Sequence, residues 1–150
     1  MLSRRTLLIS ALTAAALPAL PAFAKTPDVF APGGVAINGY DPVAYFTQGE
    51  PVEGDPSLAL DWTGAVWHFA SAENRATFEA NPKAYAPQYG GYCAYAVANG
   101  YTAETDPDAW AVVDNKLYLN FNRRIQRRWE RDIPGYIASA DANWPQVLAE

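Results

Sequence analysis

Cys93 is the only cysteine among 150 residues, and it lies in the run Gln88-Tyr89-Gly90-Gly91-Tyr92-Cys93-Ala94-Tyr95, behind two glycines and among aromatic side chains. A lone thiol cannot close an internal disulfide, so it packs, ligates or reacts, and its pKa and access decide which. As packing it is a small buried hydrophobe. As a nucleophile near a predicted helix start it would feel backbone N–H groups that favour thiolate. No second cysteine can resolve an oxidised form, so a redox cycle would need an outside thiol donor or partner protein. As a ligand it would need company, and His68, the only histidine, with a carboxylate such as Asp61 or Glu73, is what the chain offers. Such a set holds a transition metal ion, copper or zinc, weakly unless water or a partner completes it. Beyond Met1 there is no methionine, which excludes a thioether-rich Cu(I) site.

The other candidates carry competing structural roles. His68 alternates with Trp67 and Phe69 in a predicted strand and points opposite both, where an imidazole is exposed, locally hydrogen-bonded, or a ligand or base. Asp41, Asp55 and Asp106 each precede a proline, which fits capping and turns better than acid–base work. Tyr40, Tyr92 and the neighbouring aromatics supply core area, and some could line a pocket. The expected site therefore gathers Cys93, His68, Tyr92, Gly90, Gly91, Tyr40 and Asp41. One basic concentration, Arg123, Arg124, Arg127, Arg128 and Arg131, reads as a solvated helix face or as a surface for an anionic partner.

The first residues place the thiol outside the cytoplasm. Residues 1–24 carry Arg4 and Arg5, an apolar run from Leu7 through Leu17, and Ala22-Phe23-Ala24, the small-x-small form of a signal peptidase site. Ser3-Arg4-Arg5-Thr6-Leu7-Leu8 also has the form of a twin-arginine export signal, an alternative to the general secretory route. The run is too short to span a bilayer and is broken by Pro18 and Pro21, so no stable membrane insertion is expected once it is removed. The expected location is the bacterial periplasm. Loss of the two arginines leaves nine basic against sixteen acidic residues, a formal charge of −7. That balance argues against a nucleic-acid partner. One cysteine in an oxidising compartment means a fold held by packing.

These residues need elements to position them. Residues 25–34, rich in Pro, Gly and Ala, read as an exposed lead-in, and 35–150 as a single domain. Asp41-Pro42 predicts a short helix over Val43 to Phe46. Leu58 to Trp62 and Ala65 to Phe69 flank Thr63-Gly64, a hairpin signal. Ser71 caps a helix from Ala72 to Glu79, Asn81-Pro82 ends it, and a further helical turn covers Lys83 to Tyr85. Tyr92 to Val97 predicts a short helix carrying Cys93 and Val97 on one face. A second hairpin joins Ala109–Val113 to Leu117–Phe121 through Asp114-Asn115-Lys116. Asn122 caps a helix that buries Ile125 and Trp129, and Asp132 to Glu150 reads as short helices broken by Pro134-Gly135 and Pro145. The class is α+β, a small antiparallel sheet of two hairpins with short helices packed on it.

Val66-Trp-His-Phe-Ala-Ser71 with Phe78-Glu-Ala-Asn-Pro-Lys-Ala-Tyr85 resembles the core of the YHS domain. Asn38-Gly-Tyr-Asp-Pro-Val-Ala-Tyr-Phe46, Gly90-Gly-Tyr-Cys-Ala94, Asp106-Pro-Asp-Ala-Trp110 and Lys116-Leu-Tyr-Leu-Asn120 extend the resemblance to the exported bacterial subgroup. The resemblance implies a metal-handling context, since short YHS domains occur beside copper-transporting ATPases and present a Phe-Cys-Ser-x-x-Cys pair. Here Ala70 and Asn74 stand at the two cysteine positions. In the exported subgroup the position of Cys93 is selenocysteine in some members, which implies a redox or soft-ligand role.

No phosphate-cradling glycine motif, His-Glu-x-x-His, Cys-x-x-Cys or Gly-x-Ser-x-Gly elbow is present, so the common nucleotide enzymes, zinc proteases and serine hydrolases lack support. Two readings lead. One is a binding protein holding a metal ion or small ligand in an aromatic-lined site with Cys93; the other is a thiol-dependent redox protein with Cys93 as nucleophile. A third reading is a structural or interaction module.

Overall fold

Two turns decide the sheets. Thr63 and Gly64 both hold positive φ, 51° and 75°, as a two-residue hairpin loop requires. They join β1 (Asp55–Trp62) to β2 (Ala65–Phe69), antiparallel, with Trp62 opposite Ala65 and Leu60 opposite Trp67. The second hairpin pairs β3 (Trp110–Val113) with β4 (Lys116–Leu119) around Asp114 and Asn115, at φ 50° and 60°. Lys116 pairs with Val113 and belongs to the strand, so the turn is one residue shorter than its composition implies. This computed structural model describes residues 14–16 and 25–149. Apart from 14–16, the expected export signal lies outside the described residues. No helix among the described residues is long and apolar enough to cross a membrane.

Among the described residues six short α-helices surround the hairpins. α1 (Ala44–Thr47) starts where the Asp41 carboxylate accepts from the N–H groups of Val43 and Ala44. α2 (Ala72–Ala80) starts at Ser71, whose Oγ accepts from the Asn74 N–H at 3.1 Å. α3 (Pro82–Tyr85) follows directly, and α4 (Ala94–Ala98) has Cys93 at its N-cap. α5 (Arg123–Trp129) is capped by Asn122, whose side-chain oxygen accepts from the Ile125 N–H at 2.9 Å. α6 (Ile133–Asn143) corrects the expected break at Pro134-Gly135. Asp132 caps it by accepting from the Gly135 N–H, and Pro134 sits in the first turn, where a missing N–H costs nothing.

Two apolar clusters fill the interior of this α+β domain. In one, Trp67 and Phe69 of β2 meet Phe78 of α2, each pair with ring centroids 5.2 Å apart. All three rings are essentially inaccessible, so each contributes about 1.5–3 kcal/mol by burial. In the other, Tyr118 of β4 packs on Trp129 of α5, with Ala94 and Val97 of α4 and Ala140 of α6 beside them. The segment 25–34 is docked, although several of its residues remain exposed. Val29 is buried, the Phe30 N–H donates to Gly90 O, the Thr26 N–H donates to Leu148 O, and Tyr92 Oη donates to Pro27 O. Gly90 makes this possible, because at φ 62° it lies so close to Asp28 O that a Cβ would collide.

Candidate functional site

Cys93 sits where the second hairpin meets α4. The Cys93 N–H donates to Ala103 O and its carbonyl accepts from the Val97 N–H, which fixes the residue at the entrance to α4. Its side chain is 1% exposed. Sγ accepts from the Phe121 N–H at 3.2 Å and donates to Asn120 Oδ1 at 3.6 Å. Burial pushes the thiol above its ordinary value of 9.0, and the N–H groups of Ala96, Phe121 and Tyr95 pull the other way without overcoming it. The proton is thus held on sulfur at neutral pH, contrary to the thiolate expected at a helix start.

Above the sulfur lies a small cavity of about 200 Å³, lined by Cys93, Tyr95, Tyr101, Ala103, Phe121 and Ile125 among others. Its rim is unusual. Phe121 is 42% and Tyr101 51% exposed, two of the three large apolar side chains left in solvent among the described residues. On the other side of the thiol, Asn120 is fully buried. Its Oδ1 also accepts from the Tyr95 N–H at 3.1 Å, while its Nδ2 has no protein partner. An unpaired buried amide costs about 1–3 kcal/mol, which marks this corner as one not optimised for packing alone.

His68 is elsewhere. It is half-buried in β2, between buried Trp67 and Phe69, as its alternation predicts. Its neighbours are Gly39 and Gly54, and it lines a separate depression with Glu53 and Asn38. Of the expected metal set, Asp61 and Glu73 are exposed, and no lining residue is shared by the His68 and Cys93 depressions. Among the described residues no group of three or more His, Cys, Asp or Glu side chains is placed to hold a metal ion. The two residues of the expected Cys93–His68 pair thus line separate depressions.

Asp41 is a buried clasp that includes the capping role its Asp-Pro context predicts. It is fully inaccessible. Oδ1 accepts from the Val43 and Ala44 N–H groups, and Oδ2 from the Ala70 N–H at 2.8 Å and Asn74 Nδ2 at 2.7 Å. Ala70 and Asn74 are the residues at the two positions that the resemblance gives to cysteines. Here their donors are spent on a carboxylate, so these positions do not fit a metal ion. Asp55 and Asp106 close local turns onto Ser57 and Asp108. Tyr40 forms an isolated bridge to Glu53, and Tyr92, through Pro27, anchors the N-terminal segment. Gly90 does the same by close approach to Asp28 O, whereas Gly91 lies against the Ile37 side chain.

Of the expected set, then, only Cys93 lines the apolar cavity. Asn120 and Phe121 escaped the sequence reading because they continue an alternating strand pattern. β4 ends at Leu119, although the Asn120 N–H still donates to Ala109 O, and the Asn120 side-chain oxygen and the Phe121 backbone N–H both reach the sulfur. A wider cleft of about 380 Å³ lies between Trp62, Trp67 and Trp144, but its charged groups, Lys25 and Asp28, are paired with each other at 3.0 Å.

No protein-family model matches the chain, and no curated protein or solved structure matches it either.

Proposed function

We propose that the chain is an exported protein of the YHS type that binds a small apolar ligand in the cavity above Cys93. The observation that carries this reading is the cavity itself, an apolar recess of about 200 Å³ with the only thiol of the chain in its wall and two solvent-exposed aromatic rings at its mouth. Apolar recesses on the order of 150 Å³ admit benzene-sized molecules. The cavity contributes contact area from Tyr95, Phe121 and Ile125, and the thiol and the free Asn120 amide beside it are the polar groups at hand. The redox alternative is less well supported, because burial favours the protonated thiol.

Fluorine NMR titration with fluorobenzene and fluorophenol tests the reading. Saturable binding is expected, weakened about tenfold or more by Phe121→Ser through lost apolar contact. Unsaturable binding, or binding indifferent to Phe121→Ser, would overturn it. Alkylation gives an independent check on the thiol. At about pH 8 iodoacetamide should modify Cys93 of the native chain at least about tenfold more slowly than in the urea-unfolded chain, and bound probe should slow it further. A native rate at or above the unfolded one would restore the nucleophile reading.

A further inference from the structure

α5 carries Arg123, Arg124, Arg127 and Arg128, Arg131 follows at once, and all five are exposed. At about 100° per residue the four on α5 fall within an arc of roughly 140°. Ile125, Gln126 and Trp129 occupy the remaining arc, Trp129 buried and the other two partly buried, with Gln126 donating to Trp110 O. None of the five forms a salt bridge, the one ion pair among the described residues being Lys25 with Asp28. Glu130 and Asp132 share the segment, and Asp108 lies with Glu130 along one depression beside Arg123 and Arg127. The patch remains net positive with these three acids counted. From Lys25 onward the rest of the chain sets four basic residues against thirteen acidic ones.

Apolar groups adjoin the patch. Phe121 lies one residue before the cap of α5, and with Tyr101 it rims the cavity that Ile125 also lines, Ile125 lying at the edge of the basic arc, about 60° round α5 from Arg128. A purely electrostatic partner would use the arginines and leave these rings in water. A bilayer surface uses both.

We propose that this face docks the exported protein peripherally on an anionic lipid surface, with the arginines on headgroup phosphates and Phe121 and Tyr101 in the headgroup–acyl boundary. Guanidinium groups match phosphate oxygens in a fork geometry. Aromatic rings with a polar or exposed edge are favoured at that depth. The acidic remainder of the molecule is repelled by the same surface, which orients the docked protein with α5 downward. The cavity above Cys93 then opens toward lipid, but docking does not depend on ligand binding there.

Vesicle co-sedimentation of the chain from Lys25 onward, which contains both described apolar clusters and the whole of α5, tests the proposal. Vesicles of phosphatidylcholine with a third phosphatidylglycerol are compared with phosphatidylcholine alone. Binding is expected on the anionic vesicles only and should weaken as salt is raised through the range where the Debye length falls below about 10 Å. Arg124→Glu with Arg128→Glu should reduce the partition coefficient about tenfold or more, and Phe121→Ser should reduce it at unchanged salt sensitivity. Circular dichroism confirms that these surface variants remain folded. No binding, equal binding to neutral vesicles, or binding unchanged by the charge reversal would overturn the proposal. Preference for soluble polyglutamate over the vesicles would overturn it in favour of an acidic protein partner.

Discussion

The Asp41 carboxylate joins three parts of the chain through four accepted hydrogen bonds. Two go to the start of α1, and the others reach Ala70 and Asn74, 29 and 33 residues away. Hydrogen bonds to a buried charge are worth about 1.5–3 kcal/mol each, and a donor left unpaired in the interior costs nearly as much. Asp41→Ala should therefore destabilise the fold by about 3 kcal/mol or more, and Asn74→Ala by about 1 kcal/mol, read from urea melts of unchanged slope. A loss below about 1 kcal/mol for Asp41→Ala would show that the clasp is not the tether its geometry describes. The local half of this role is legible in sequence as Asp-Pro before an apolar run. The distant half is not, because nothing in the spacing of Asp41, Ala70 and Asn74 says that β2 runs past α1. The same limit applies to Cys93, whose type and glycine-flanked position single it out, whereas Asn120 and Phe121 become its neighbours only through the end of a ladder.

At the scale of elements, signals that act within a few residues are the readable ones. Thr63-Gly64 and the Asp114-Asn115 pair specify their hairpins through positive φ, and Ser71 and Asn122 specify helix starts through side-chain capping. Pro134-Gly135 misleads because the same dipeptide ends a helix or opens one, depending on whether a cap such as Asp132 stands before it. Docking of residues 25–30 is invisible for another reason. Its partners, Gly90 and Tyr92, lie sixty or more residues on, and a Pro- and Gly-rich composition reports only the lack of regular structure. Gly90→Ala tests this docking. Its Cβ would strike Asp28 O, and the left-handed backbone adds about 1 kcal/mol. Amide exchange at Phe30, which donates to Gly90 O at 2.9 Å, should accelerate at least about tenfold, while amides in β2 slow or hold. Unchanged protection at Phe30 would mean that the contacts to Tyr92 and Leu148 hold the segment without Gly90.

The whole molecule holds its protons on several buried weak acids. Burial raises Cys93 above its ordinary 9.0 and Tyr45, Tyr89, Tyr92 and Tyr118 above their ordinary 10.0, with neighbouring carboxylates adding to the shift of each tyrosine. The hydroxyls of Tyr45 and Tyr89 also donate, to Pro107 O at 2.8 Å and to Asp141 Oδ1 at 2.9 Å, and ionisation would break both bonds. In every case the unfolded chain gives up its proton first. The stability these groups contribute is thus complete below about pH 9, and declines as pH rises through the ordinary thiol and phenol values toward the raised ones. Each fully shifted group steepens the decline by at most about 1.4 kcal/mol per pH unit, and Tyr92 and Tyr118, which are less strongly shifted, contribute less. On the acid side, the shift resolved among the described carboxylates is a lowering at Asp55, on the surface, held by Ser57. The melting temperature should accordingly stay nearly flat between about pH 6 and 8 and fall steeply above about pH 9.5, with Tyr45→Phe making the fall shallower. A melting temperature that holds to about pH 11, or a slope indifferent to Tyr45→Phe, would show that the buried phenols are not what the fold protects.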